Sequence, residues 1–420
     1  MAGWDGNGNW SWTYSWANEA ALGNPISSAK MDTQFADGTA GFQNCLTRDG
    51  QGKPSVDISW NSKKITNLAN GTAAADAVNL SQVQGLVAAG QSEGNLLING
   101  GFDVWQAGAG GSAIMVGAAA RIRTADCWWA VRAASTTGYT VSQVAGEVNR
   151  YALKWQRDAG NASTAAMSLG QGLETANSVW LKRASTACYL SFYAKKGANY
   201  SGGDLVVSVI RGTGTDENIL DGYTGASTLA SLVQTLTTTL TRYTLSVPGD
   251  ASTNEIGVKF SWTPSGVAGA DDSVTIENVQ LEPSAAAGEF EFLSFDETLR
   301  RCQRYFQKSF VYGTAPAQGV GFATPGNHAF FGAFLAGASL SPPYMCPLPA
   351  SVHPSAAITF YNPVRANSYV VDATINADGT TPTATLSASG SWLRLYFYGN
   401  AGTSVGNSLA VSYVIAHSNL

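Results

Sequence analysis

The stretch YLSFYAK at residues 189–195 alternates apolar and polar side chains, and it decides the fold class of this chain of 420 residues. The same strand pattern recurs between turn residues in LVVSVI at 205–210, RYTLSV at 242–247, IGVKF at 256–260 and VTIENVQL at 274–281. A period of two places alternate side chains on opposite faces of a sheet, so that one face can be buried. Repeated short strands of this kind predict a β-sandwich over residues 94–298.

Residues 299–420 carry a second set of strand patterns and very few charges. Beyond Lys308 the charged side chains are Arg365, Asp372, Asp378 and Arg394. A short polar connector, helical at most, is predicted at 298–307, and a C-terminal β domain is predicted after it. Four basic residues cluster at the connector, namely Arg300, Arg301, Arg304 and Lys308. We expect them to form ion pairs at a domain junction, with contact to an anionic glycan as the alternative.

Residues 1–50 combine an aromatic arm with one amphipathic helix. The arm is rich in Gly and Asn and contains four tryptophans, Trp4, Trp10, Trp12 and Trp16. An extended aromatic segment of this kind is expected to dock onto another surface. Asn24 and Pro25 predict a helix start, after which apolar residues recur at helical spacing: Ile26, Met31, Phe35 and Phe42. This stripe is too narrow to fold alone, so a neighbouring domain or copies of the chain must cover it.

Residues 51–93 contain short elements that cannot bury their own apolar faces. A two-stranded unit is predicted around 56–68 and a short helix around 77–87. Their apolar residues include Ile65, Leu68, Val78 and Val83. Because a lone hairpin is marginal in water, such small elements in series predict a stalk whose core is shared between chains.

The composition excludes several classes of protein. The 24 Lys and Arg residues stand against 29 Asp and Glu, and only 13% of residues are charged, which argues against nucleic-acid binding. Hydrophobic residues make up 45%, enough for folded cores. The amino terminus lacks a secretory signal pattern, and the most apolar stretch, residues 328–340, is shorter than the roughly 20 residues that span a bilayer. We expect no membrane insertion, and a near-neutral surface suited to a tight oligomer or a neutral sugar.

No sequence pattern for catalysis, a cofactor or a metal is found. The histidines and cysteines lack the paired spacing of zinc sites; they are His328, His353, His417, Cys45, Cys127, Cys188, Cys302 and Cys346. We expect the cysteines to be reduced and mostly buried. Six acidic residues could supply a glycosidase pair, but we interpret them as solvated turn and edge carboxylates: Asp271, Asp272, Glu277, Glu282, Glu289 and Glu291. We therefore expect no enzymatic activity.

One strand near the carboxyl terminus is a candidate binding face. The alternation in WLRLYFY at residues 392–398 places four side chains on one face, namely Trp392, Arg394, Tyr396 and Tyr398. The aliphatic residues between them are expected to face a core. Flat aromatic rings beside an arginine suit a sugar, which stacks its C–H faces on rings. The same residues suit an interface between subunits, where Tyr, Trp and Arg are enriched.

Several motifs resemble the carbohydrate-binding-module-like jelly roll of bacteriophage and prophage tail fibres. They are NLLINGGFDVWQ at 95–106, TADCWW at 124–129, LSFYAK at 190–195, VQLEP at 279–283 and GEFEF at 288–292. The segment RCQRYFQKS at 301–309 resembles the connector that follows this domain in such fibres. PISSAKMD at 25–32, LTRDGQ at 46–51, KITNLA at 64–69 and DAV at 76–78 are similar to their virion-attachment and stalk regions.

The resemblance implies a mainly β homotrimeric tail fibre, located in the virion tail and made in the host cytoplasm. It implies attachment to a tail, baseplate or adaptor protein through residues 1–50, a stalk at 51–93, a jelly roll at 94–298 and a connector with a tip domain at 299–420. The expected partner is a bacterial surface glycan. The motif positions are expected to be structural: Asn99, Phe102, Trp105, Asp126, Trp128 and Gln280. The alternatives are a structural tail adaptor and a polysaccharide-cleaving tailspike.

Overall fold

The structure is a computed structural model that describes most of the chain. The described residues are 3–4, 10–43, 62, 64–73, 75–80, 82–83, 94–108, 114–115, 121–132, 138–182, 188–284, 286–321, 328–331, 344–369, 371–372, 377–378, 383–386, 390–396, 408–417 and 419–420. The chain divides into two compact units, Met1–Leu80 and Ser81–Leu420. The predicted mainly β fold is confirmed. The finer domain boundaries at residues 50, 93 and 298 stay predictions.

Within residues 3–4 and 10–43, the first unit contains a short hairpin and two helices. Strand β1 (Gly3–Trp4) pairs with β2 (Trp10–Ser11), and helices α1 (Trp16–Ala21) and α2 (Ser28–Gln43) follow. The predicted amphipathic helix is confirmed as α2. It begins three residues later than the sequence pattern indicated, because the Ser27 hydroxyl accepts a hydrogen bond from the Lys30 N–H at 3.3 Å and so caps the helix there.

The aromatic arm lies against helix α2 of its own chain. The indole rings of Trp10 and Trp12 lie over Gly41 and Gly38, where an added Cβ would come within 3.1 Å and 3.3 Å of them. The backbone of the arm is held by the α2 side chains of Asp37 and Gln34. The two glycines, which weaken the helix by propensity, therefore provide the space that these rings occupy.

Two six-stranded antiparallel sheets form the sandwich of the second unit. The first sheet has the spatial order β11 (Ser227–Gln234), β10 (Leu205–Gly212), β13 (Glu255–Trp262), β8 (Met167–Gly172), β5 (Trp129–Arg132) and β4 (Ile122–Arg123). The second has the order β12 (Thr241–Val247), β9 (Cys188–Lys196), β14 (Asp272–Pro283), β7 (Tyr151–Arg157), β6 (Tyr139–Ala145) and β3 (Ile114–Met115). A 3₁₀ helix, Thr175–Lys182, lies between β8 and β9.

Large aromatic side chains fill the space between the two sheets. Trp155 and Trp262 meet edge to face at 6.1 Å, and Phe192 and Phe260 do so at 5.1 Å. All of these rings are buried in one continuous core. Burial of each such ring stabilises the fold by about 1.5–3 kcal/mol, so these four rings make a large contribution to the stability of the sandwich.

The motif positions named above hold the start of the sandwich together. All six side chains are buried, as expected: Asn99, Phe102, Trp105, Asp126, Trp128 and Gln280. The Asn99 amide donates to the carbonyls of Val104 and Asp126. Gly100 lies so close to strand β14 that an added Cβ would be 2.0 Å from the Val279 carbonyl oxygen. The NGGF turn therefore fixes the first segment against β14.

The C-terminal region is built around one long strand. Helix α3 (Phe295–Gln303) leads into β15 (Phe306–Lys308), which pairs with β23 (Ser408–Ala416). Strands β16 (His328–Phe331), β18 (Ala357–Tyr361) and β19 (Val371–Asp372) also pair with β23, and β20 (Ala377–Asp378) pairs with β19. A smaller sheet has the order β17 (Tyr344–Pro347), β22 (Trp392–Tyr396) and β21 (Thr383–Leu386).

The connector joins this region to the sandwich through ion pairs, as predicted for its basic cluster. Arg304 pairs with Glu174 of the sandwich, with Nε 2.7 Å from Oε2, and the Tyr305 hydroxyl donates to the same carboxylate. Arg301 pairs with Glu297 within the helix. Lys308 differs, because its ammonium donates to three backbone carbonyls instead.

Candidate functional site

The strand predicted as a binding face has the expected alternation where it is described. Leu393 and Leu395 of β22 are fully buried, whereas Trp392, the first residue of the strand, is 42% exposed. Arg394 lies opposite Met345 and Thr385 in the sheet register. Tyr396 is the last residue of β22, and Tyr398 lies outside the described residues. Binding at this face stays a prediction.

The carboxylates considered for glycoside hydrolysis are held within the fold. Asp272, Glu277 and Glu282 are buried in β14, so their interpretation as solvated groups is wrong. Their environment explains the burial, because Asp272 pairs with an arginine and Glu277 accepts three backbone N–H groups at residues 147–149. Of the other three, Glu289 is solvated as interpreted, with its side chain 94% exposed beside Arg242. Asp271 pairs with Lys154, and Glu291 accepts the Asn95 N–H.

A cavity of about 350 Å³ opens at the rim of the sandwich. Its lining residues come from five parts of the chain. They are Asp103 of the first segment, Gln143 of β6, Arg150 and Tyr151 at the start of β7, Leu293 and Phe295 at the start of α3, and Tyr312 nine residues after that helix. Its volume falls within the range of about 300–1,000 Å³ that is usual for small-molecule sites. We call it the rim pocket.

Asp103 is positioned by its backbone rather than by its carboxylate. The Tyr312 hydroxyl donates to the Asp103 carbonyl at 3.3 Å, and the Gln143 amide donates to the Phe102 carbonyl at 2.8 Å. No hydrogen bond or ion pair within the described part of the chain involves the Asp103 carboxylate oxygens. Burial raises the pKa of this carboxyl, and the nearby Arg150 charge acts against that rise. The carboxylate is thus partly desolvated and available to a ligand.

Aromatic rings form the walls of the rim pocket. Phe295 and Tyr312 meet edge to face at 5.2 Å, and the Arg150 guanidinium carbon lies 5.0 Å from the Tyr151 ring centroid. The Tyr312 oxygen accepts the Trp105 N–H at 2.8 Å, and burial raises the pKa of Tyr312 to about 12. The hydroxyl is therefore neutral at physiological pH, and its ring is fixed in place.

A smaller cavity of about 90 Å³ adjoins the rim pocket and shares Asp103 and Leu293 with it. Gly101 lines this second cavity, and an added Cβ there would lie 2.8 Å from an Asp103 carboxylate oxygen. Phe290 and Phe292 line it as well and meet edge to face at 5.1 Å. Asp103 is therefore accessible from two neighbouring cavities.

The sequence does not indicate the rim pocket. Of its residues, only Asp103 lies within one of the motifs given above, and Phe295 and Tyr312 follow that motif by about 190 to 210 positions. Within the residues that the structure describes, no group of three or more His, Cys, Asp or Glu side chains is arranged to hold a metal ion. The described helices include none that is long and apolar enough to cross a membrane.

Comparisons with known proteins match no family model and no curated sequence. Among solved structures, the enzymatically active domain of bacteriophage CBA120 tailspike protein 4 is 16% identical over 37% of this chain and 19% of its own, with a TM-score of 0.26. A CBM4 structure is 13% identical over 44% of this chain and 98% of its own, with a TM-score of 0.26. The structure of TmCBM61 in complex with β-1,4-galactotriose is 12% identical over 44% of this chain and 97% of its own, with a TM-score of 0.27. The β-sandwich assignment rests on the strand order and register given above.

Proposed function

We propose that this chain is a non-catalytic receptor-binding fibre protein of a bacteriophage tail that binds a neutral sugar of the bacterial surface in the rim pocket. The observation that carries the proposal is the free Asp103 carboxylate between aromatic walls. Sugar rings present apolar C–H faces to aromatic side chains and hydroxyls to polar groups. Arg150 adds hydrogen-bond donors beside this carboxylate acceptor, and Gln143, whose amide N–H groups hold backbone carbonyls, adds its amide oxygen as a second acceptor.

Binding without hydrolysis is supported by the state of the acidic residues. The six carboxylates of residues 271–291 contact partners within the protein, three of them while buried in strand β14. Retaining and inverting glycosidases need two carboxyl groups that flank the scissile bond. The rim pocket offers Asp103 as the carboxylate among its lining residues.

Replacing Tyr151 with alanine is expected to weaken monovalent sugar binding by up to about tenfold, because an aromatic contact contributes about 0.5–1.5 kcal/mol. Calorimetric titration with the best sugar from a glycan array measures the change. The matched control is Tyr189→Ala, since Tyr189 is a half-buried tyrosine of β9 that does not line the pocket. An equal loss in both variants would contradict the proposal. Loss in Trp392→Ala alone would move the site to strand β22.

The fibre proposal includes a homotrimer whose stalk core is shared between chains. Large apolar side chains of the predicted stalk stripe are exposed within the described chain, with Phe35 at 67%: Ile26, Phe35, Phe42, Ile65, Leu68, Val78 and Val83. Met31 of the same stripe is half-buried. Phe35 and Phe42 lie seven residues apart on α2, a spacing that a partner helix can cover.

Light scattering on the purified chain is expected to give three times 43.8 kDa, or about 131 kDa. Phe35→Asp is expected to shift the protein towards monomer, because a charge would be buried in the shared core. Val233→Asp is the control, since Val233 is 61% exposed on β11 outside this stripe. A wild-type mass of one chain would exclude the trimer, whereas sugar binding in the rim pocket would remain a separate question.

A further inference from the structure

A second cavity, of about 490 Å³, lies where the sandwich meets helix α3 and the C-terminal region. We call it the junction pocket. Three arginines of the helix and its C-cap line it, Arg300, Arg301 and Arg304. Asn177 of the 3₁₀ helix and Ser351 contribute polar groups from the two sides. The pocket is therefore basic on one wall and neutral on the others.

The arginines keep N–H groups that the fold does not use. Arg304 binds Glu174 through Nε and Nη2, and none of the described hydrogen bonds involves its Nη1. Arg301 donates to Glu297 through Nε alone. Arg300 is 69% exposed at its side chain and comes only within 4.0 Å of Glu297. Arg300 and Arg301 precede Arg304 by four and three residues, so each lies beside Arg304 on the surface of the helix.

The charge balance of the junction pocket favours an anion. No carboxylate is among its described lining residues. Two carboxylates pair with the lining arginines, and the Glu291 carboxylate accepts the N–H of the lining residue Asn95 at 2.6 Å. Glu174 is committed to Arg304 and to the Tyr305 hydroxyl. Glu297 is shared between Arg300 and Arg301 near the pocket. The groups that line the pocket are thus positive or neutral, and Glu297 acts as an internal competitor for any bound anion.

We propose that the junction pocket binds an acidic sugar through its carboxylate or phosphate group, at a site separate from the rim pocket. Planar guanidinium groups recognise such oxyanions with paired N–H donors. The Asn177 amide and the Ser351 hydroxyl then bind sugar hydroxyls, while Ile98 forms an apolar wall. The rim pocket does not suit this ligand, because the Asp103 carboxylate would repel it.

The test uses the full chain and four probes: D-glucuronate, D-glucose 6-phosphate, D-glucose and inorganic phosphate. Saturation-transfer NMR and calorimetry at low salt are expected to detect both acidic sugars, with affinity that falls as salt rises. A preference for glucuronate or for the 6-phosphate distinguishes the two sources of the oxyanion. The variant Tyr151→Ala, which keeps the Asp103 carboxylate in the rim pocket, is expected to leave acidic-sugar binding unchanged, which separates the junction pocket from the proposed function of the rim pocket.

Two substitutions with opposite expected effects make the test specific. The double variant Arg300→Gln/Arg301→Gln is expected to weaken glucuronate or glucose 6-phosphate binding at least about tenfold, because charge-assisted hydrogen bonds are lost. Glu297→Gln is expected to strengthen binding a few-fold, because it removes the competing carboxylate while the backbone N–H that Ser294 caps is kept. A loss of fold would weaken binding in both variants.

Four results would overturn the proposal. Three of them are an absence of acidic-sugar binding by the wild-type chain, unchanged binding in the double arginine variant, and weaker binding in Glu297→Gln at unchanged melting temperature. Binding of inorganic phosphate without either acidic sugar would overturn it as well, because the neutral wall would then contribute nothing.

Discussion

Replacing Arg157 with methionine is expected to lower the free energy of unfolding by about 3–5 kcal/mol, because it leaves the Asp272 carboxylate buried without its counter-charge. Both side chains are 0% exposed, and Arg157 Nη1 lies 2.9 Å from Asp272 Oδ2. Ser201 donates to the same carboxylate from its hydroxyl and its N–H, at 2.7 Å and 2.8 Å. These neutral donors cannot replace the lost charge.

The same arginine, at the end of strand β7, also ties two loops to the second sheet. Its Nη2 donates to the carbonyls of Asn161 and Gly266 at 2.6 Å and 2.9 Å. Those carbonyls would lose a charged donor in the methionine variant, but water can replace part of the contact, because Gly266 is exposed and Asn161 is half-buried. The expected loss therefore comes mainly from the unpaired Asp272 carboxylate, and it is at the upper end of what a single substitution produces.

Urea unfolding followed by tryptophan fluorescence measures this loss. Arg242→Met is the matched control, because Arg242 lies 3.7 Å from a Glu289 side chain that is 94% exposed, and such surface pairs contribute about 0–1 kcal/mol. The double variant Arg157→Met/Asp272→Leu is expected to recover part of the loss, since it removes the unpaired charge. If Arg157→Met is no more harmful than the control, the pair does not have the structural role given to it here.

The sandwich could be predicted from the sequence where strands alternate clearly, as β9, β10 and β12 do. Strand β8 was missed because its sequence, MSLGQG, contains two glycines and little apolar patterning. Its burial comes from elsewhere in the chain, since Ile219 and Leu220 lie over Gly170, with Ile219 Cγ2 3.0 Å from the position of an added Cβ. A contact between segments fifty residues apart leaves no periodic signal in either segment.

The rim pocket could not be predicted for a related reason. Sequence periodicity indicates which face of a strand is buried, but it does not indicate which loops meet at the rim of a sandwich. Asp103, Tyr151 and Phe295 come together only because the NGGF turn and the residues before α3 both lie against strand β14. The burial of acidic residues in β14 was missed likewise, because their partners are distant in the chain.

The connector shows which features a short stretch of sequence is able to predict, namely a helix start and a cluster of charges. Ser294 and Glu297 form the spacing of a helix amino-terminal cap, and the Ser294 hydroxyl accepts the Glu297 N–H at 3.2 Å. The clustered arginines were correctly expected at the junction between the sandwich and the C-terminal region, where Arg304 forms an ion pair. Their partner Glu174 lies 130 positions earlier, so the identity of the pair could not be predicted.

Replacing Asp103 with asparagine is expected to weaken sugar binding in the rim pocket by about 10- to 100-fold, because hydrogen bonds to a charged group contribute about 1.5–3 kcal/mol each. Asparagine keeps the shape of the side chain but loses the charge and one acceptor. Calorimetric titration of the best neutral sugar measures the loss. Glu289→Gln is the matched control, since it makes the same change at a carboxylate whose side chain is 94% exposed and that does not line the pocket.

The same substitution is expected to leave the melting temperature at pH 7 equal or higher, which a structural aspartate would not do. Burial raises the pKa of Asp103 in the folded protein above its unfolded value. The ionised carboxylate therefore opposes folding, and wild-type stability falls as the pH rises from the unfolded pKa, about 3.9, through the raised folded value. The melting temperatures of Asp103→Asn and wild type should converge below that window and separate above it. If the variant is both less stable and unable to bind, Asp103 has a structural role and not a ligand-binding one. A carboxylate that serves binding is instead expected to lower the stability of the folded protein.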